Sequence, residues 1–168
     1  MNEKGRRSVR NRNGHDKHDT YWNQAQPKDH SFCGKCSAIY HNKHWFFDEK
    51  KLETLRAEAA NHQVLCPACH KIQDHFASGR VLMSGEFLRE HREEILNLVK
   101  NAEKRAMGMN PLERIIEIAN NGKGIEITTT HEKLAQRIGK SLYRAFSGTV
   151  DYQWARGDKM ARVSWCRD

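Results

Sequence analysis

The sequence predicts an α+β protein: a small four-cysteine zinc ribbon, a long linking helix, then a ββαββ antiparallel-sheet domain. Three observations predict it. Four of the five cysteines fall as Cys33-x-x-Cys36 and Cys66-x-x-Cys69. A stretch from Glu86 to about Met107 repeats apolar residues at helical spacing. The last third alternates apolar and polar residues on both sides of a second amphipathic stretch. This divides the chain into a basic tail over 1–31, a four-cysteine zinc-binding lobe over 32–84 and a helix plus ββαββ domain over 85–168.

The tail, "MNEKGRRSVRNRNGHDKHDTYWNQAQPKDH", has few apolar residues and no period, which predicts disorder. Lys4, Arg6, Arg7, Arg10 and Arg12 face only Glu3 in its first twelve residues. Such an arm is either an inert solvated tail or a nucleic-acid contact.

Between the cysteine pairs, Tyr40, Trp45, Phe46 and Phe47 are candidates for a small lobe core, and Asp48 to about Ala60 for a short helix. Ser84 is placed to cap the long helix, whose stripe is Leu88, Ile95, Val99 and Ala102, supported by Leu96 and Leu98. Gly108 and Pro111 end it. "LERIIEIANNGKGIEITTT" reads as a hairpin with a Gly-Lys-Gly turn. Thr129 and Glu132 have capping-box spacing. The helix they open, about 131–146, is expected to bury Leu134, Ile138, Leu142, Ala145 and Phe146. "TVDYQWA" and "KMARVSWC" alternate as two further strands. One helix on one face of a four-stranded antiparallel sheet is the expected result.

The chain has 168 residues, 38% of them hydrophobic, with a mean hydropathy of −0.88. A core this modest gains from a metal staple. No apolar run is long enough to cross a bilayer, and the basic N-terminus has no apolar signal region, so the expectation is a cytoplasmic protein with no membrane partner. The net charge is +8 and the isoelectric point about 9.4. Four thiolates around one Zn²⁺ would leave about +6. A polyanionic partner, chiefly RNA, fits that balance.

Paired Cys-x-x-Cys units in a reducing compartment favour metal over disulfide. Each turn offers two thiolates, and the second pair completes a tetrahedron. Cys33, Cys36, Cys66 and Cys69 are therefore the expected ligands of one Zn²⁺, and the closed sulfur shell makes it structural. Cys166 stands apart. A redox role for Cys66-Pro-Ala-Cys69 lacks the βαβ setting such sites use. On the second helix, Lys133, Arg137, Lys140 and Arg144 recur at i, i+4, i+7 and i+11 with no acid among them. They form either a solvated face or a row of phosphate contacts. Tyr21, Trp22, Tyr40 and Trp45 lie near basic residues, placed to stack on unpaired bases or to pack in a core.

"NHQVLCPACHKI" resembles the closing part of a His-Asn-His endonuclease, with Asn61 and His70 at matching positions. That family also uses a base histidine beside an acid. His41 and His44 are the candidates here, and neither has an acidic neighbour in sequence, so no enzymatic activity is expected. A double-stranded-DNA regulator is the other alternative, without a helix-turn-helix signature or dimerisation heptads. "FCGKCSAIYHNKHW", "LCPACHKIQDHFASG", "EFLREHREEILNLVKNAE" and "ITTTHEKLAQRIGKSLYRAF" resemble an uncharacterised bacterial family of short zinc-ribbon proteins. The order of a Cys-x-x-Cys pair, long helix and ββαββ unit is also distantly similar to the zinc and following α/β region of the archaeal and eukaryotic large-ribosomal-subunit export adaptor. That likeness implies a non-enzymatic adaptor associated with RNA or the ribosome, with Cys33, Cys36, Cys66 and Cys69 as its zinc ligands.

Overall fold

The structure is a computed structural model that describes residues 21, 27–58, 62–154 and 160–168. Most of the predicted tail, including Lys4, Arg6, Arg7, Arg10 and Arg12, lies outside the described residues, as does Asn61. The chain is mixed α+β with two sheets.

The first sheet is small. Strands β1 (Ser31–Cys33), β2 (Ile39–His41), β3 (His44–Phe46) and β4 (Gln63–Val64) lie in the order β3-β2-β1-β4. The β1–β2 and β2–β3 pairs are antiparallel, and β4 returns parallel to β1. Helix α1 (Glu49–Glu58) follows β3, and α2 (Pro67–Gln73) follows β4. Leu52 and Leu55 of α1 close over Phe32 and Ile39. Tyr40 and Trp45 pack against the cysteines with ring centroids 5.3 Å apart. Of the four aromatics expected in this core, Phe47 is exposed because β3 ends one residue before it. Ser31 is buried in β1, so the ordered lobe begins inside the stretch assigned to the tail.

The second sheet has five strands, not four. It comprises β5 (Gly79–Ser84), β6 (Ile115–Asn120), β7 (Gly124–Thr129), β8 (Thr149–Trp154) and β9 (Ala161–Cys166), in the order β6-β7-β5-β9-β8. The expected hairpins β6–β7 and β8–β9 both form. Strand β5 lies between them, antiparallel to β7 and parallel to β9. The lobe boundary at residue 84 is thereby corrected, since 79–84 is the central strand of this sheet. The order from β5 on is β-α-α-β-β-α-β-β, and the sheet is mixed. The run "GRVLMS" between glycines has the form of a short buried strand. Val81 and Met83 enter the core while Leu82 stays on the outer face.

Ser84 therefore ends a strand and does not cap a helix. Gly85 makes the turn at φ 108°, a region costly for any residue with a Cβ. The long helix is interrupted: α3 (Glu86–Glu90) and α4 (Arg92–Met109) meet at His91, whose φ of −112° is not helical. Phe87 holds this corner, its ring 4.0 Å from that of His91 and the Arg167 guanidinium 3.8 Å from its centroid. Helix α5 (Glu132–Phe146) begins at His131, whose Nδ1 accepts from the Lys133 amide at 3.3 Å, so the Thr129–Glu132 capping box is not the cap used. Leu134, Ile138 and Leu142 are fully buried; Ala145, in the last turn, is exposed. Helices α4 and α5 pack together on one face of the sheet, joining Ile95, Val99 and Ala106 to Ile125, Ile127, Val163 and Trp165.

Gly139 sets the approach of α5 to the sheet. A Cβ there would stand 2.6 Å from Val163 Cγ1 and 3.2 Å from the Tyr152 hydroxyl. Gly139→Ala gains about 1 kcal/mol of helix propensity. Overpacking costs about 1–3 kcal/mol, so the net effect is expected to be lower stability. A urea titration showing a raised midpoint would contradict this.

Candidate metal centre

Two different local structures bring the four sulfurs together. Cys33 ends β1, and the chain turns tightly behind it: Ser37 N–H donates to Cys33 O at 2.9 Å, and Cys33 N–H to Ala38 O at 2.8 Å. This turn carries Cys36. Cys66 occupies the cap position of α2 with Pro67 as the first helical residue, where a missing N–H costs nothing. Its Sγ accepts from the Cys69 amide at 3.4 Å, and Cys33 Sγ accepts from the Cys66 amide at 3.4 Å.

All four sulfurs lie within 4.8 Å of one another. Cys36 Sγ and Cys66 Sγ are 3.6 Å apart. A tetrahedral Zn²⁺ with bonds of about 2.3 Å separates its sulfurs by about 3.8 Å. Cys33, Cys66 and Cys69 are buried and Cys36 half-buried. The quartet is compatible with one zinc ion. Cys166, at the end of β9, is exposed and outside it.

The protonation pattern fits the same ion. Hydrogen bonds from Cys36, Cys66 and Cys69 hold the Cys33 thiol far below its ordinary value. The Cys36 bond with Cys33 opposes ionisation, but bonds from Cys66 and Cys69 outweigh it and draw the thiol down to about 7. Cys66 and Cys69 are pushed up, first by their bonds to Cys33 and then by those to Cys36. Four sulfurs this close share protons; only a cation lets all four ionise together.

The second lobe reaches the sulfurs directly. Arg114, in the segment entering β6, donates from Nη1 to Cys69 Sγ at 3.4 Å, and Leu112 packs against the cysteine cluster. Lys71 of α2 is buried at the same junction, donating from Nζ to Ser78 Oγ at 3.0 Å and to Thr130 O at 3.2 Å. Nothing in the spacing of Arg114 or Lys71 marked them. Arg114 is 45 residues from the sulfur it serves.

The basic stripe on α5 is only partly as expected. Lys140 and Arg144 are exposed and Lys133 half-buried. Arg137, however, has an acidic partner: its Nε lies 3.5 Å from Oε2 of Glu113, which is 2% exposed. The acid comes from the loop after α4, so no spacing within the helix disclosed it.

The histidines also rearrange the picture. His41 does have a carboxylate beside it, from Asp29, with Nδ1 to Oδ2 at 2.9 Å. His30 joins this pair. His70 is half-buried on α2, with its ring centroid 6.5 Å from that of Tyr21. No protein-family model, curated protein or solved structure matches the chain. Among the described residues, no helix is long and apolar enough to cross a membrane.

Outer-shell partners of metal ligands typically contribute about 10–100-fold to affinity. Arg114→Met is expected to weaken Zn²⁺ binding by that order in a chelator competition, and Cys166→Ser to leave it unchanged. Because Cys66 and Cys69 must lose protons to ligate, affinity should fall as pH falls. A pH-independent affinity would contradict the protonation pattern.

Proposed function

We propose that the chain is a non-enzymatic, cytoplasmic RNA-binding protein associated with the ribosome, of the kind the resemblance to the large-subunit export adaptor implies. One structural Zn²⁺ on Cys33, Cys36, Cys66 and Cys69 closes the first lobe. A four-sulfur shell has no open position, which suits a structural role. One observation carries the RNA reading. Lys140, Tyr143 and Arg144 stand exposed together on the outer side of α5, at i, i+3 and i+4, with Tyr143 58% exposed. Cations at this spacing suit phosphates, and a bare ring between them suits an unpaired base. The tail residues Lys4, Arg6, Arg7, Arg10 and Arg12 add charge to the same partner.

The Glu113 contact decides how the surface is tested. Removing Arg137 would strand a buried carboxylate and destabilise the fold. The clean variant is Lys133→Gln, Lys140→Gln and Arg144→Gln together. For single-stranded RNA each lost phosphate contact reduces the slope of log K against log salt by about 0.7. The triple variant should therefore lower the slope by up to about 2. Tyr143→Ala should cost about 1–3 kcal/mol of binding if one base stacks on it. Normal binding by both variants, with salt dependence lost on deletion through Arg12, would assign affinity to the tail and α5 to solvent.

A second reading, the zinc-supported His-Asn-His-like nuclease, is favoured by the His41–Asp29 pair. His70, the matching helix residue of that motif, is not in the Asp29 cluster. No Mg²⁺- or Mn²⁺-dependent cleavage of RNA or DNA is expected. Cleavage abolished by His41→Ala would replace the first reading with the second.

A further inference from the structure

Asp29, His30 and His41 converge outside the sulfur centre. The β1–β2 ladder begins at the Ser31–Tyr40 rung, and the His30 amide donates to Tyr40 O at 2.9 Å. His30 and His41 are therefore cross-strand neighbours just beyond that rung, with ring centroids 4.4 Å apart. Asp29 folds back toward both. Its Oδ1 accepts from the Asn42 amide at 2.8 Å. Its Oδ2 stands 2.9 Å from His41 Nδ1 and 3.5 Å from His30 Nδ1. That backbone bond to Asn42, ahead of the two imidazoles, holds the Asp29 carboxyl below its ordinary value, so it is ionised at neutral pH.

From this arrangement we infer that Asp29, His30 and His41 form a second metal site, for a first-row divalent cation of the Zn²⁺, Co²⁺ or Ni²⁺ class, with coordination positions open to solvent. One ligand atom from each residue lies within 4.8 Å of the other two. Nitrogen and oxygen ligands at about 2.0–2.1 Å from a tetrahedral ion are about 3.3 Å apart, close to the separations here. Two imidazoles and a carboxylate select this class over Mg²⁺ or Ca²⁺, which prefer all-oxygen shells. His30 takes a φ of 65°, a region that L-residues seldom occupy. Asn42 and Lys43, at 50° and 63°, form the two-residue turn between β2 and β3, which carries the Asn42 amide to Asp29. His41 is steered from its far side, with Nε2 3.1 Å from the Asn42 side-chain amide. With Nδ1 on a metal, Nε2 carries the proton and the amide turns its oxygen to accept it. All three side chains are partly open to water, so three protein ligands leave positions for solvent or an anionic oxygen.

The test uses the full chain with its sulfur centre already filled with Zn²⁺, dialysed against Co²⁺ and counted by mass spectrometry of the metals. The tail histidines His15 and His18 offer a competing site, so a His15→Ala/His18→Ala variant is measured in parallel. One Co²⁺ per chain is expected beyond the zinc, without the thiolate-to-cobalt charge-transfer absorption of a sulfur site. The tail variant should keep it, and Asp29→Asn, His30→Ala and His41→Ala should each lose it while retaining the zinc. Asp29→Asn preserves an oxygen for the Asn42 amide, and His30 is exposed, so neither removes a core contact. Three results would overturn the site: no second equivalent in the parent chain, a second equivalent surviving in all three variants, or its loss in the tail variant alone.

Discussion

Four cysteine sulfurs within 4.8 Å of one another are the constraint at the centre of the first lobe. Without a cation, thiolates this close repel one another, and each ionisation opposes the next. Among the described residues the lobe otherwise has three three-residue strands, a two-residue strand, two short helices and two small apolar clusters. A dication between the sulfurs supplies folding free energy directly, on the order of 10 kcal/mol for structural zinc. The Cys33–Cys36 turn, the start of α2 and the packing of Tyr40 and Trp45 all meet at these sulfurs.

The larger lobe depends on that centre less, yet touches it. Its own apolar core runs from β5 through β9. Arg114 and Lys71 join the two lobes with charged groups: one hydrogen-bonds a sulfur and the other crosses to a backbone carbonyl beside the sheet. A hydrogen bond to a charged group contributes about 1.5–3 kcal/mol, more than a neutral one. Loss of a metal held there would therefore be felt at residues 112–114 and 130, while the sheet beyond them has its own core. The sulfur lobe positions the Asp29–His41 corner, and the sheet positions the outer side of α5.

Spacing within one element was legible in the sequence; meetings between elements were not. The Cys-x-x-Cys pairs named the four sulfurs because each pair lies within one turn. The 3.6-residue period named Leu134, Ile138 and Leu142. The two hairpins were visible because a hairpin joins neighbours. Strand β5 was hidden because its partner residues in β7 and β9 lie far along the chain, as Ser84 with Gly124 and Gly79 with Ala161 show. Asp29 with His41, Arg114 with Cys69 and Glu113 with Arg137 are likewise meetings between separate segments. The stripe on α5 was read as four equivalent cations because the acid beside one of them comes from a different element. The carboxylate beside His41 lies 12 residues back along the chain, so adjacency in sequence does not reveal it.

A metal between Cys33, Cys36, Cys66 and Cys69 would hold the first lobe closed. Amide hydrogen exchange of the full chain, before and after metal removal by a strong chelator, tests it most directly. Residues 31–41 and 63–73 are expected to lose protection, with the junction at 112–114, while β5, β7, β9 and α5 keep theirs. Unchanged protection across 31–41 and 63–73 in metal-free protein would contradict it.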